Sequence, residues 1–104
     1  MKRILIVEDE FIIAQNLVQV LEGLGYEVAG HAFDAEEALG LMAVGGVDLA
    51  ILDINLGRGQ SGIELGKVLS ERWGIPIVFL TSHTDGGTIR EAAAVRPAGY
   101  LVKP

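Results

Sequence analysis

The sequence predicts an α/β sandwich, a parallel sheet with helices on both faces, and three observations predict it. Strand-like and helix-like segments alternate strictly along the 104 residues. The strand-like runs are apolar at consecutive positions, as at Leu49–Leu52, which suits strands buried on both faces. Four runs also end abruptly in polar residues: Arg3–Val7 in Glu8-Asp9, Val47–Leu52 in Asp53, Ile75–Leu80 in Thr81-Ser82, and Tyr100–Val102 in Lys103. In parallel strands these groups share one edge, where open α/β sheets bind ligands.

Each element has its own signal. Arg3–Val7 is the first strand. Glu10 to Leu24 places Ile13, Leu17, Val20, Leu21 and Leu24 on one helix face, and Gly23 and Gly25 punctuate its end. Tyr26–Gly30 is a short second strand. Asp34 opens a helix as an N-cap with Glu37 three residues on, and Gly45-Gly46 stop it after Met42. Val47–Asp53 is the third strand. Ser61 and Glu64 form a second capping box, heading a helix that turns Leu65, Val68 and Leu69 inward and ends near Trp73. Pro76 is tolerable at the start of the fourth strand, Ile75–Leu80. A helix from about Asp85 to Val95 has a soft first turn at Gly86-Gly87, with Thr88 as an alternative cap. Gly99–Val102 is the fifth strand. Every connection contains a helix, so the crossovers should be right-handed.

Composition narrows the function. The length suits one small domain with a single well-filled core, given that 50% of residues are hydrophobic. The absence of cysteine removes disulfides and thiolate metal sites and fits a reducing compartment. A net charge of −6 argues against direct nucleic-acid binding. No apolar segment approaches the ~20 residues of a membrane span, and Met1-Lys2-Arg3 leads into only a short apolar run, so the expectation is a cytoplasmic protein with no membrane partner. The pattern stops on a strand. The expectation is therefore a domain spanning 1–104, C-terminally truncated, without a last helix (α5) over the sheet face shared with the first helix. The apolar surface left there makes a homodimer plausible.

The polar edge carries the chemistry. Glu8, Asp9 and Asp53 at adjacent strand ends repel one another, and a hard divalent cation relieves that repulsion. They read as a Mg²⁺ site open to a phosphate. Asp53 is the nucleophile, since carboxylates form acyl phosphates. Lys103 supplies a fixed positive charge and the Thr81 hydroxyl a donor to a phosphoryl oxygen.

Five segments then resemble the receiver domain of two-component response regulators: Ile4–Glu10, Leu52–Asn55, Ser61–Leu65, Pro76–Ser82 and Gly99–Pro104. The resemblance implies a flavodoxin-like three-layer sandwich with sheet order 2-1-3-4-5. It implies that Asp53 is the phosphoacceptor, with Glu8 and Asp9 holding Mg²⁺ and the Asn55 backbone carbonyl as a further ligand. Thr81 and Tyr100 would be the switch residues that alter the face of the fourth helix and fifth strand, and Lys103 the lysine of the site. The bond before Pro104 would be cis. The phosphodonor would be a phosphohistidine on a sensor histidine kinase or a histidine phosphotransfer protein. Such a domain is no enzyme beyond its own Mg²⁺-dependent phosphorylation and slow dephosphorylation. The alternative is an interaction module of the same fold that works without phosphorylation.

Two departures stand out. The segment after Asp53 is one residue longer than is usual, with Gly57 where proline is common, and this should loosen it. Arg96-Pro97 should end the fourth helix early. Gly57–Gly62 also reads G-x-G-x-x-G, the dinucleotide-binding turn, but it follows the third strand and no ribose-binding acid ends the fourth. An aspartyl phosphatase would want a second acid where Asn55 stands. His31 and His83 lack metal-ligand spacing; His83 sits near enough to Thr81 to border a phosphate, and His31 has no assigned task.

Overall fold

The computed structural model describes residues 2–57, 60–82 and 85–103. In chain order the elements are β1 (Arg3–Val7), α1 (Phe11–Gly23), β2 (Glu27–Ala32), α2 (Ala35–Val44), β3 (Leu49–Asp53), β4 (Asn55–Gly57), β5 (Gln60–Ser61), α3 (Gly62–Trp73), β6 (Ile77–Thr81), α4 (Gly86–Ala93) and β7 (Gly99–Val102). The main sheet runs β2-β1-β3-β6-β7, all parallel. This is the expected 2-1-3-4-5 order once the small β4–β5 hairpin is left out of the count. That hairpin, antiparallel and separate from the main sheet, was not foreseen.

Alternation within the apolar runs builds two cores. Ile4 and Ile6 of β1, Ile51 of β3 and Leu80 of β6 face Ala14 and Leu21 of α1. Their neighbours Leu5, Val7, Ala50, Leu52, Ile77 and Phe79 point to the other face, against Ala38 and Met42 of α2, Leu65 and Leu69 of α3, and Ala92 of α4. Successive strand residues point to opposite faces, so a strand covered on both sides must be apolar at every position. Phe79, fully buried, is the largest side chain of this core; such a ring contributes ~3–5 kcal/mol over alanine.

Two of the caps read from sequence are present. The Asp34 carboxylate accepts from the Glu37 amide at 2.8 Å, while Glu37 accepts in return from the Phe33 amide at 3.0 Å. The Ser61 hydroxyl accepts from the Ile63 and Glu64 amides at 3.2 and 3.3 Å. The α4 cap differs: Asp85 stands at the N-cap but makes no side-chain cap bond to the helix, its carboxylate turning back to Ser82 instead. As expected from Pro97, α4 ends at Ala93, and Arg96 takes a left-handed φ of 57° before the proline.

Strand β2 lies later than predicted, Glu27–Ala32 in place of Tyr26–Gly30. Its register slips by one residue opposite Ile4 and Leu5, and pairing then continues to Val7↔Ala32. Strand β6 begins at Ile77, because Ile75-Pro76 serves as its lead-in, and reaches Thr81. Among the described residues no helix is long and apolar enough to cross a membrane. Between α1 and the β6–β7 edge lies an apolar groove of about 260 Å³ lined by Ile13, Leu17, Val20, Leu80, Leu101 and Val102.

Candidate functional site

Register brings the polar strand ends together. Val7 pairs with Leu52, Asp53 with Leu80, and Thr81 with Val102, so Glu8, Asp53, Ser82 and Lys103 emerge along one edge. Asp53, almost fully buried, is held from both sides. Lys103 Nζ donates to Oδ2 at 2.8 Å, and the Asn55 amide donates to Oδ1 at 3.1 Å. The Lys103 amide donates to the Thr81 carbonyl at 2.7 Å, which fixes the lysine backbone to the neighbouring strand end.

Glu8, Asp9 and Asp53 each offer a carboxylate oxygen within 4.8 Å of the others. Glu8 is wholly buried, and neither of its oxygens has a hydrogen-bond donor among the described residues. Lys103 approaches Oε1 at 3.2 Å as an ion pair only. Burial, together with the Asp53 carboxylate beside it, pushes the Glu8 carboxyl up to about 8, against the partial relief Lys103 gives. Burial pulls the Lys103 ammonium down, but Asp53 and Glu8 outweigh it and leave the pKa raised. A buried acid whose one cationic neighbour is shared with Asp53, set beside two more carboxylates, is a donor set that a hard divalent cation fits. Glu8, Asp9 and Asp53 could hold such a metal.

The backbone keeps this cluster in place. The Glu8 amide donates to the Ala32 carbonyl at 3.0 Å. His31, unassigned by sequence, bonds through Nε2 to the Glu8 carbonyl at 2.8 Å, so that nitrogen carries the proton, and its ring lies 4.3 Å from that of Phe33. Nothing in the sequence signals this role. Gly62 opens α3 directly over Asp53: a Cβ there would stand 1.8 Å from the Asp53 carbonyl oxygen.

Of the segment after Asp53, expected to be loose, residues 54–57 and 60–61 lie among the described residues. Leu56 is buried in the core, and Gln60 Oε1 accepts from the Ala35 amide at the start of α2, at 3.1 Å. Gly57 has a φ of +72° and lies so close to Asp9 that a Cβ would come within 3.0 Å of Oδ2. The Asn55 side-chain oxygen accepts from the Gly57 amide at 3.2 Å.

Thr81 is buried, but its hydroxyl donates to the Leu101 carbonyl at 3.4 Å and is not bonded to Asp53. Tyr100 is 40% exposed, its ring 6.2 Å from that of Phe79 beneath it. The structure thus brings Glu8, Asp9, Asp53 and Lys103 into one cluster and leaves Thr81 and Tyr100 turned toward β7 and solvent. The cluster opens into a cleft of about 310 Å³ lined by Asp9, Glu10, Asp53, Asn55, Gly57, Ser82, Asp85 and Lys103. Glu10 and Asp85, read from sequence only as helix starts, belong to its rim. The expectations for His83, for the Lys103–Pro104 bond and for part of the glycine-rich motif at Arg58-Gly59 lie outside the described residues.

Comparison with known proteins agrees with this geometry. The family model of the response regulator receiver domain matches residues 4–104. The transcriptional regulatory protein PdtaR of Mycobacterium tuberculosis is 35% identical over 103 residues, 99% of this chain and 50% of its own length. The transcriptional regulatory protein YvrH of Bacillus subtilis is 38% identical over 101 residues, 97% of this chain and 42% of its own. The chain spans about half the length of the curated relatives it matches. Among solved structures, the signal receiver domain of a modulated diguanylate cyclase from Desulfovibrio desulfuricans superposes with a TM-score of 0.91 at 38% identity, over 100% of this chain and 82% of that one. The response regulator TrrA from Thermotoga maritima, in complex with Mg²⁺ and a beryllium fluoride, gives a TM-score of 0.83 at 34% identity, over 100% of this chain and 88% of that one.

Proposed function

Because the chain belongs to the response regulator receiver domain family, we propose that Asp53 is its phosphoacceptor and that the domain spanning 1–104 is a phosphorylation-controlled switch of two-component signalling. The observation that carries this reading is Asp53 itself: a buried carboxylate at the mouth of a cleft, oriented through Oδ2 by Lys103 and through Oδ1 by the Asn55 amide. The donor would be a phosphohistidine on a sensor kinase or phosphotransfer protein, and the setting the cytoplasm.

Phosphoryl transfer consists mostly of positioning and charge neutralisation. An oxygen of Asp53 attacks phosphorus in line, the bond from phosphorus to the donor nitrogen breaks, and the imidazole leaves with the electron pair. Lys103 stays beside the acceptor and neutralises charge on the phosphoryl oxygens. Glu8 and Asp9, with Asp53 and the Asn55 carbonyl, would hold Mg²⁺. When bound, that ion would screen the carboxylates from the incoming phosphate. Thr81 must leave its 3.4 Å bond to Leu101 to donate to the phosphoryl group. That departure frees the carbonyl next to Tyr100 and couples the acceptor to the face of α4 and β7.

Beryllium fluoride tests the reading as a phosphoryl mimic. With Mg²⁺ it should raise the melting temperature of the wild-type protein and leave Asp53→Asn unmoved. An equal rise in both would overturn the assignment.

A further inference from the structure

Among the described residues, four carboxylates, Asp9, Glu10, Asp53 and Asp85, line the phosphoryl-transfer cleft against one cation, Lys103. The mechanism uses Asp9 and Asp53 but leaves Glu10 and Asp85 without a task. Both occupy groups that an entering phosphoryl oxygen would claim. Glu10 Oε1 lies 3.9 Å from Lys103 Nζ. Asp85 Oδ2 accepts from the Ser82 amide at 2.7 Å and from its hydroxyl at 3.0 Å.

We propose that Glu10 and Asp85 are specificity determinants of this cleft, setting it against anionic small-molecule phosphodonors and in favour of donors whose leaving nitrogen is protonated. The inference rests on the acceptor role of Asp53. Two fixed negative charges at the mouth repel a donor in proportion to its net charge, and they do so at the encounter rather than at the in-line attack. Acetyl phosphate and phosphoramidate separate the effect. Each gives its phosphoryl group to Asp53 with formation of one O–P bond. The first loses acetate as its P–O bond breaks, and the second loses ammonia as its P–N bond breaks. Near neutral pH acetyl phosphate is a dianion, whereas phosphoramidate carries a protonated nitrogen and one net negative charge.

The test measures labelling rates by intact mass with Mg²⁺, at low and high salt, for wild type, Glu10→Gln, Asp85→Asn and the double variant. Asparagine keeps an oxygen for Ser82, and Glu10→Gln alters an exposed side chain, so the fold is spared. The double variant should take label from acetyl phosphate about threefold faster or more at low salt, with a smaller change for phosphoramidate. High salt should erase the difference. Equal factors for both donors, or a difference indifferent to salt, would overturn the proposal. Wild-type protein labelled by neither donor would overturn the acceptor assignment and this inference with it.

Discussion

Lys103 Nζ lies 2.8 Å from Asp53 Oδ2, although the two residues are 50 positions apart and leave the sheet from strands that do not pair with each other. The same nitrogen is 3.2 Å from Glu8. The lysine is therefore the cation set between two buried acids, a place that any divalent cation binding there would share.

Lys103→Met should for that reason have opposite effects on stability and on metal binding. Removing one partner of a buried ion pair costs about 3 kcal/mol, so the melting temperature without Mg²⁺ should drop clearly. Mg²⁺ should bind the variant at least as tightly as wild type and restore part of the loss, while phosphorylation slows. A calorimetric Mg²⁺ titration beside thermal melts checks this; weaker Mg²⁺ binding would contradict it.

Glu8 makes the protein sensitive to pH. An ordinary glutamate ionises near 4.5, whereas Glu8 keeps its proton to about 8. The folded state then binds more protons than the unfolded state between those values, and stability of the ion-free protein should fall as pH rises through that window. Metal binding needs the ionised form, so Mg²⁺ affinity should rise over the same window and each ion bound at pH 7 should expel a proton. Titrations in two buffers of different ionisation enthalpy count that proton. A count of zero would place the buried charge elsewhere.

Gly62→Ala should damage the fold at Asp53 itself. Its Cβ would stand 1.8 Å from the Asp53 carbonyl oxygen, a backbone atom that no side-chain rotation can clear. Overpacking of this kind costs about 3 kcal/mol, and urea denaturation should show it. Gly57→Ala should cost less, about 1 kcal/mol for a side chain at a φ of +72°, and, since its Cβ meets the end of the Asp9 side chain, should also weaken Mg²⁺ binding.

Thr81→Ala should separate chemistry from response. The hydroxyl makes one long bond to Leu101, so its loss costs about 1 kcal/mol. Labelling of Asp53 should persist. A tryptophan placed at position 100 should then report no change in burial on phosphorylation, while the same reporter beside Thr81 should report one.

The sheet and the acidic edge were legible because one rule governs both: a strand covered on two faces must be apolar throughout, so the first charged residue marks where it leaves the core. Leu49–Asp53 shows this without ambiguity. The residues that were not legible act through backbone. His31 supports Glu8 by bonding its carbonyl, and a peptide oxygen leaves no trace in sequence. In the segment after Asp53, Leu56 is buried and Gln60 bonds across to the start of α2, contacts that the sequence did not indicate. Their partners are the core and the Ala35 amide, neither of which is a local signal. Asp85 reads equally well as a helix cap or a turn acceptor, and only the fold sends its carboxylate to Ser82. Strand β2 was displaced because a register slip against β1 is set by pairing, not by composition.

The most direct test of the acceptor assignment is intact mass after incubation with Mg²⁺ and a small acyl-phosphate donor, with and without chelator, for wild type and Asp53→Asn. One phosphoryl adduct on wild type, absent with chelator and absent from the variant, is the predicted result. An adduct of equal stoichiometry on Asp53→Asn would contradict it.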